Sequence, residues 1–404
     1  MNVLSVLASH DASIAYFVDN KLEYFLKEER LSGLKRDAGI VKGLSELIKN
    51  NYEVDITIIN SNVNSDTYVE ETLAPLIQKM FDCEIVINDT VHHKCHAILA
   101  FEKSKFNQSL VFVIDRNGTQ NEKISEVESI FKINRNYDVE NIYKNFSVEK
   151  LYDLDIHEHL KNYEGEIRCD SGMGITQLYE TATTLIGQGV HENGKIMGLS
   201  SYGKDINFKK LFHDGVVNSH LFFKNYDGYD DAFYIKEFYD KRCTEVKKND
   251  YQFYADYAFQ VQKQTQEEIL RLVKKYVDKT GINKVCFAGG YALNVVTNSF
   301  LVKSLPQIEF YFEPISDDTG IPLGSALLFL KQMFGDVPKI PHHTFFNHIN
   351  HDLSKIEGKN ISEEDIARFL SEGKTVAVFN GQSEVGPRAL GNRSLLYDAR
   401  NPEA

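Results

Sequence analysis

The sequence predicts an α/β fold, on three observations. Short β-rich runs alternate with segments of helical period along much of the chain. The run "KVCFAGG" passes from an apolar strand into a glycine turn that opens a helix, and "SDDTG" joins another strand to a helix. Alternation of this kind points to an α/β architecture whose ligands gather at the carboxyl ends of strands.

The elements follow in order. Residues 2–8, "NVLSVLA", read as a strand. "SIAYFV" and "KLEYFLKE" follow as a hairpin, joined by the two-residue turn signal Asp19-Asn20. "VKGLSELIKNN" has helical period, and "VDITIINS" and "EIVIND" are two further strands. A helix beginning near residue 91 carries His92, His93 and His96, and "SLVFVID" is a strand ending in Asp115. From about 130 to 250 the chain is rich in Tyr, Asp, Asn and Lys and is expected to be less regular. A long amphipathic helix then places Ala258, Val261, Ile269, Leu272, Val273 and Tyr276 on one face, with Gly281 as its stop. After the glycine turn come a helix, the strand "IEFYFEP", and the helix "PLGSALLFLKQM" with Pro322 in its first turn. "FGDVPKIPHHTFFNHINHD" reads as a linker. "SEEDIARFLSEGKTVAVFNG" reads as a capped helix and a strand that open a further domain.

Composition bounds the partners. The chain has 404 residues, enough for two or three domains, with 42% hydrophobic and 25% charged residues. A net charge of -13 without a basic run argues against a nucleic-acid backbone or an anionic membrane as main partner. The five cysteines lack a C-x-x-C pair, so neither a disulfide framework nor a zinc ribbon is expected. No signal-peptide pattern opens the sequence, and no segment approaches the ~20 apolar residues of a membrane span. The expectation is a soluble cytoplasmic protein.

Several runs carry chemistry. His92 and His96 are four apart and share a helix face, whereas His93 points about 100° away. Asp115 and Asp318 are loop carboxylates at strand ends. With the two histidines they would make a mixed nitrogen and oxygen site for iron, zinc or manganese. The bland alternatives are packing for the histidines, an N-cap for Asp318 and a turn closure for Asp115. Gly289 and Gly290 let a phosphate approach backbone N–H groups, although no G-x-G-x-x-G is present. Lys195 stands among glycines as a point charge for phosphate or as a surface residue. In "EVGPRALGNRS", Arg388 and Arg393 bring forked donors to a flexible loop, an anion-binding inventory. His157 and His159 lack metal-binding spacing. His342, His343, His348 and His351 fall in the linker, where a solvated loop is expected.

Together these runs resemble the NodU/TobZ-type O-carbamoyltransferases. The family pattern runs "HDSAA…EER", "HHxxHA", "VDGxGE", "NEGKxMGLxxYG", "GGxALN", "D-x-G…GxA" and "EfGPRALGxRS". Here it stands, collinear from end to end, as "SHDASIAYF" with "EER" at 28–30, "HHKCHA", "IDRNGTQ", "HENGKIMGLSSYG", "GGYALN", "DTGIPLGSA" and "EVGPRALGNRS".

The resemblance implies a duplicated actin-like ATPase fold over 1–335, with two subdomains around a metal and nucleotide cleft. A linker at 336–358 and the start of a YrdC-like α+β domain at 359–404 would follow. It implies carbamoyl transfer from carbamoyl phosphate, through an ATP-derived carbamoyl-adenylate, to a hydroxyl of a small-molecule acceptor. The implied cofactors are Fe(II) (or Zn or Mn) and ATP with Mg²⁺. By position, His92, His96, Asp115 and Asp318 match the metal site and Gly289, Gly290 and Asn294 the nucleotide loop. Arg388 and Arg393 match the carbamoyl-phosphate and nucleotide region, and Lys195 lies in a shared motif. His10 or Asp11 is the candidate base for the acceptor hydroxyl.

Two departures stand out. "DRNGTQ" puts Arg116 at a family glycine and Thr119 at the family acid. A YrdC-type domain needs well over a hundred residues and only about 45 follow the linker, so the expectation is either a truncated form or a domain that another polypeptide completes. The chain alone is not expected to make carbamoyl-adenylate. An actin-like small-molecule kinase and a non-catalytic nucleotide-binding subunit are the rival readings. The acceptor is unnamed by any motif, and its specificity is expected to lie in the 120–250 region.

Overall fold

A computed structural model describes residues 1–61, 63, 66–120, 124–148, 160, 163–170, 173–189, 191–206, 208, 210–217, 251–349 and 357–401. The chain divides into two compact units. The first comprises Met1–Ser61, Thr67–Asn88 and Asp317–Ala404, and the second Asn62–Asp66 and Asp89–Ser316.

The first unit is built on β1 Asn2–Leu7, β2 Ser13–Val18, β3 Lys21–Lys27, β4 Ile56–Asn60 and β5 Glu84–Asn88, in the order β3-β2-β1-β4-β5. β1, β2 and β3 are antiparallel neighbours, while β4 and β5 extend the sheet in parallel from β1. Every β1 residue after Asn2 is buried, as a central strand covered on both faces requires. The β2–β3 hairpin turns on Asp19 and Asn20, both at positive φ (46° and 65°), the backbone that the expected two-residue turn needs.

The second unit holds β6 Gln108–Ile114, β7 Ile124–Asn134, β8 Val139–Val148 and β9 Glu166–Asp170. The two-residue strands β10 Phe212–His213 and β11 Val216–Val217 form a small separate hairpin, and β12 Lys284–Ala288 and β13 Glu309–Phe312 complete the set. The main sheet order is β13-β12-β6-β7-β8-β9. Again three strands (β6, β7, β8) are antiparallel neighbours and two (β12, β13) extend in parallel from the first of them. The same order and strand senses therefore occur twice, with β9 added at the edge of the second sheet. No repeat in the sequence announces this duplication.

The structure corrects the reading of an irregular stretch from about 130. β7 and β8 are the longest described strands, at 11 and 10 residues. They escape a hydrophobic-pattern reading because Glu126, Glu128, Ser129, Lys144 and Asn145 are buried among their apolar residues. Further on, helices Ile175–Leu185 and Asn193–Leu199 also fall in the stretch expected to be irregular.

Leu4, Val6, Ile14, Leu26, Leu44, Leu47, Ile59 and Ile77 form the first unit's core. In the second, the long helix Tyr251–Thr280 lays Tyr257, Val261, Ile269, Val273 and Tyr276 into a core shared with β6, β12 and Ile175–Leu185. The proline-bearing stretch after 335 reads as a linker by composition, yet it runs along β3. Leu22 N donates to Lys339 O (3.1 Å), His348 N to Phe25 O (2.8 Å), and Lys27 N to Asn347 Oδ1 (2.9 Å). His348 stacks on Tyr24 instead of standing in solvent, whereas His342 and His343 are exposed. His157, His159 and His351 lie outside the described residues.

Near the carboxyl end, Ser362 Oγ accepts from Asp365 N and caps the helix Glu363–Ser371. β14 Val376–Phe379 then pairs with β15 Arg393–Leu396. Among the described residues no helix is long and apolar enough to cross a membrane.

Candidate functional site

In the second unit, helix His92–Ser104 starts beside the carboxyl end of β6. His92 and His96, one turn apart, have ring centroids 5.0 Å from each other. Asp115, the residue after β6, presents Oδ2 to both: 3.4 Å from His92 Nε2 and 3.7 Å from His96 Nε2. All three are buried, at 3%, 1% and 6% exposure. One ligand atom from each lies within 4.8 Å of the others. Two imidazole nitrogens and a carboxylate oxygen converging away from solvent are a donor set that fits a borderline divalent cation.

His93 has a different task. Its Nδ1 lies 2.7 Å from Ser129 Oγ, and burial pushes its pKa well below the ordinary value, so it stays neutral. It packs so closely under Gly118 that a Cβ there would stand 2.5 Å from its ring.

The loop after Asp115 is pinned at several points. Asp115 Oδ1 accepts from Gly290 N (3.0 Å), Gly118 N donates to Glu126 O (2.7 Å), and Thr119 N donates to Glu126 Oε2 (3.1 Å). Glu126 is itself buried and paired with Lys144. Gly289 adopts φ +81°, and a Cβ on it would meet Ile114 O at 2.6 Å, so the β12 turn needs glycine. The expected nucleotide-loop residue Asn294 is buried in structural bonds. Its Oδ1 accepts from Thr297 N and caps the helix Val295–Ser304, and its Nδ2 donates to Gln262 Oε1 (2.9 Å).

The first unit gathers its own polar group, which the sequence reading saw only in part. His10 Nδ1 lies 3.3 Å from Asp11 Oδ2, and His10 Nε2 lies 3.5 Å from Asp318 Oδ2. Lys27, 1% exposed at the end of β3, reaches Asp11 Oδ1 (3.0 Å), Asp317 Oδ2 (3.2 Å) and Glu29 Oε1 (3.7 Å). Burial alone would raise the Asp11 carboxyl, but the His10 hydrogen bond and the Lys27 charge outweigh it and hold the pKa at about 2. Burial raises Asp317, and the three nearby acids hold Lys27 firmly protonated against its own burial.

The remaining candidates separate. Lys195 is exposed and paired with Glu192 (2.6 Å). Arg388 is exposed, whereas Arg393 lies 3.5 Å over the Phe379 ring and donates to the carbonyls of Asn380, Gly381 and Asn392. Glu384, which sequence reasoning missed, organises their loop: its Oε1 accepts from Leu390 N, Asn392 N and Arg393 N. Those N–H groups overcome the effect of burial and lower its pKa.

Comparison with known proteins follows this geometry. The family model described as carbamoyltransferase N-terminus matches residues 47–327, and carbamoyltransferase C-terminus matches 367–404. Nodulation protein NolO of Bradyrhizobium diazoefficiens is 25% identical over 77% of this chain and 54% of its own length. The 3'-hydroxymethylcephem-O-carbamoyltransferase of Streptomyces clavuligerus is 32% identical over 28% of this chain and 22% of its own. The crystal structure of HypF from T. kodakarensis resembles this fold with a TM-score of 0.54 at 12% identity, over 83% of this chain and 48% of that one. The chain spans about half the length of the curated relatives it matches. With the sheet order repeated in both units, the fold is the duplicated actin-like α/β architecture that the resemblance implied.

Proposed function

Since the chain belongs to the carbamoyltransferase family, we propose that it carries the transfer half of an O-carbamoyltransferase. In this reading carbamoyl phosphate and ATP with Mg²⁺ give carbamoyl-adenylate, and this chain moves the carbamoyl group to a hydroxyl of a small-molecule acceptor. The observation that carries it is the buried convergence of His92, His96 and Asp115 within the matched segment. The proposed ligand set is that of the sequence, these three with Asp318, and the proposed ion is Fe(II), with Zn or Mn as alternatives. Such an ion supplies Lewis-acid polarisation of the carbamoyl carbonyl.

The protein's own groups do the rest. Asp11 Oδ2 orients the His10 ring through Nδ1, and Nε2, which lies 3.5 Å from Asp318 Oδ2, is the atom proposed to take the acceptor's hydroxyl proton. The acceptor oxygen bonds to the carbamoyl carbon, the C–O bond to the adenylate phosphate breaks, and AMP leaves. Lys27 keeps Asp11 ionised for its orienting role. The turn at Gly289 and Gly290 is proposed to face the nucleotide, and Arg388 and Arg393 the carbamoyl phosphate. Lys195 is proposed to approach a phosphate, and Asn294 to support the nucleotide turn through its helix cap. The segment from 359 is proposed as part of a YrdC-like domain. Cys83, Cys95 and Cys286, buried and outside any disulfide, suit the cytoplasm proposed as its compartment.

The test incubates the chain with labelled carbamoyl phosphate, ATP and a panel of hydroxyl acceptors, with and without a complete YrdC-type partner. Labelled product is expected when the partner supplies carbamoyl-adenylate, and only from protein with intact His92 and His96. Phosphoryl instead of carbamoyl transfer, or full transfer by a His92→Ala/His96→Ala variant, would overturn the reading.

A further inference from the structure

The loop that follows Asp115 departs from the family pattern in charge as well as in shape. Arg116 stands where the pattern has glycine and Thr119 where it has glutamate. One positive charge is gained and one negative charge lost, in a chain whose net charge is -13. This swing falls on the residue next to a proposed metal ligand, at the carboxyl end of β6.

The structure gives Arg116 a defined setting. Glu180, 8% exposed on helix Ile175–Leu185, meets Arg116 Nε at 2.8 Å. That contact lies on the side edge of the guanidinium, so it orients the group without using the terminal Nη1–Nη2 edge. The loop beneath is held by Gln177 Nε2, which donates to Asn117 Oδ1 (2.7 Å), and by the Glu126 bonds described above. Thr176 lies four residues before Glu180, on the same helix face. It is 5% exposed, and its Oγ1 makes no hydrogen bond among the described residues. A buried hydroxyl left in that state costs free energy unless a ligand completes it.

The pair is half-buried, with side chains 42% and 10% exposed, so Glu180 fixes the guanidinium from its buried side while the rest of the group faces outward. A guanidinium held side-on, with its terminal edge making no hydrogen bond among the described residues, has the geometry for two parallel hydrogen bonds to a carboxylate or phosphate. We propose that Arg116, with Thr176, reads an oxyanion on the acceptor: the hydroxyl-bearing acceptor of this chain carries a phosphate or carboxylate group. The inference rests on the transfer reading above. Carbamoyl-adenylate is the donor that the resemblance implies for the whole family, whose pattern has glycine at this position. A cation where the family pattern has glycine is therefore assigned to the acceptor.

The test titrates the full chain, purified without chelator, with inorganic phosphate followed by ³¹P line broadening. Wild type is expected to bind phosphate. Arg116→Gly and Arg116→Gln should each weaken binding by about tenfold or more, with Arg116→Lys intermediate because a point charge cannot form the fork. Thr176→Val should weaken it less, and all variants should melt within ~2 °C of wild type, which establishes that they are folded. Saturating AMP should leave phosphate binding in place. Absence of binding by wild type, or equal binding by Arg116→Gly, would overturn the proposal. Displacement of phosphate by AMP, with AMP affinity lost in Arg116→Gly, would assign the oxyanion to the donor and overturn it too. Metal content of the same samples separates the two readings: metal-free protein that still binds phosphate through Arg116 would sink the transfer site and leave the oxyanion subsite standing.

Discussion

Asp115 faces His92 across 3.4 Å, Oδ2 to Nε2, while its other oxygen is tied to the Gly290 N–H. One carboxylate thus joins a histidine helix to the glycine turn after β12, so damage to the turn should reach the histidine group. Gly289→Ala forces a Cβ to 2.6 Å from Ile114 O at a φ of +81°. It should cost about 1–3 kcal/mol in urea denaturation and lower metal content, because Asp115 loses its support.

The three histidines should not behave alike. His93 bonds Ser129 and stays neutral through burial. His93→Gln should destabilise the chain by about 1–3 kcal/mol yet keep its metal. Metal analysis beside urea denaturation checks both halves of that statement.

Lys27 holds three acids at 1% exposure. Lys27→Met should destabilise the chain by about 3–5 kcal/mol, since it leaves buried carboxylates without their cation. The pH dependence follows from Asp11, whose carboxyl is lowered in the folded state from 3.8 to about 2. Its contribution is fully present above the unfolded value of 3.8 and is lost as pH falls toward 2. Denaturation from pH 5 to 2 should show that acid loss in wild type and a smaller one in Asp11→Asn.

The two arginines of the GPRALGNRS run should separate. Arg393 is bound to three backbone carbonyls and lies over Phe379, so Arg393→Ala should loosen β14 and β15, seen as faster amide exchange there. Arg388 is exposed, and Arg388→Ala should change stability by no more than about 0.5 kcal/mol while weakening carbamoyl phosphate binding.

Much of this was legible in the sequence. β1 to β6, β12 and β13 show as apolar or alternating runs, and the spacing of His92 and His96 gave their shared face. β7 and β8 were not legible, because Glu126, Glu128 and Lys144 are turned inward and satisfied by partners distant in sequence. Lys27 was hidden for a related reason: a lysine ending a strand reads as solvent-facing until its acids are seen around it. Glu384 gave no signal because its partners are backbone N–H groups of a loop with no period. The repeated sheet order left no trace in the sequence, since topology can be duplicated while side chains diverge.

The most direct test of the central claim is metal content, by elemental mass spectrometry on protein purified without oxygen or chelator, beside a His92→Ala/His96→Ala variant. The account predicts about one ion per chain in wild type and none in the folded variant. Well-folded wild type without metal, or a variant that keeps its ion, would contradict it.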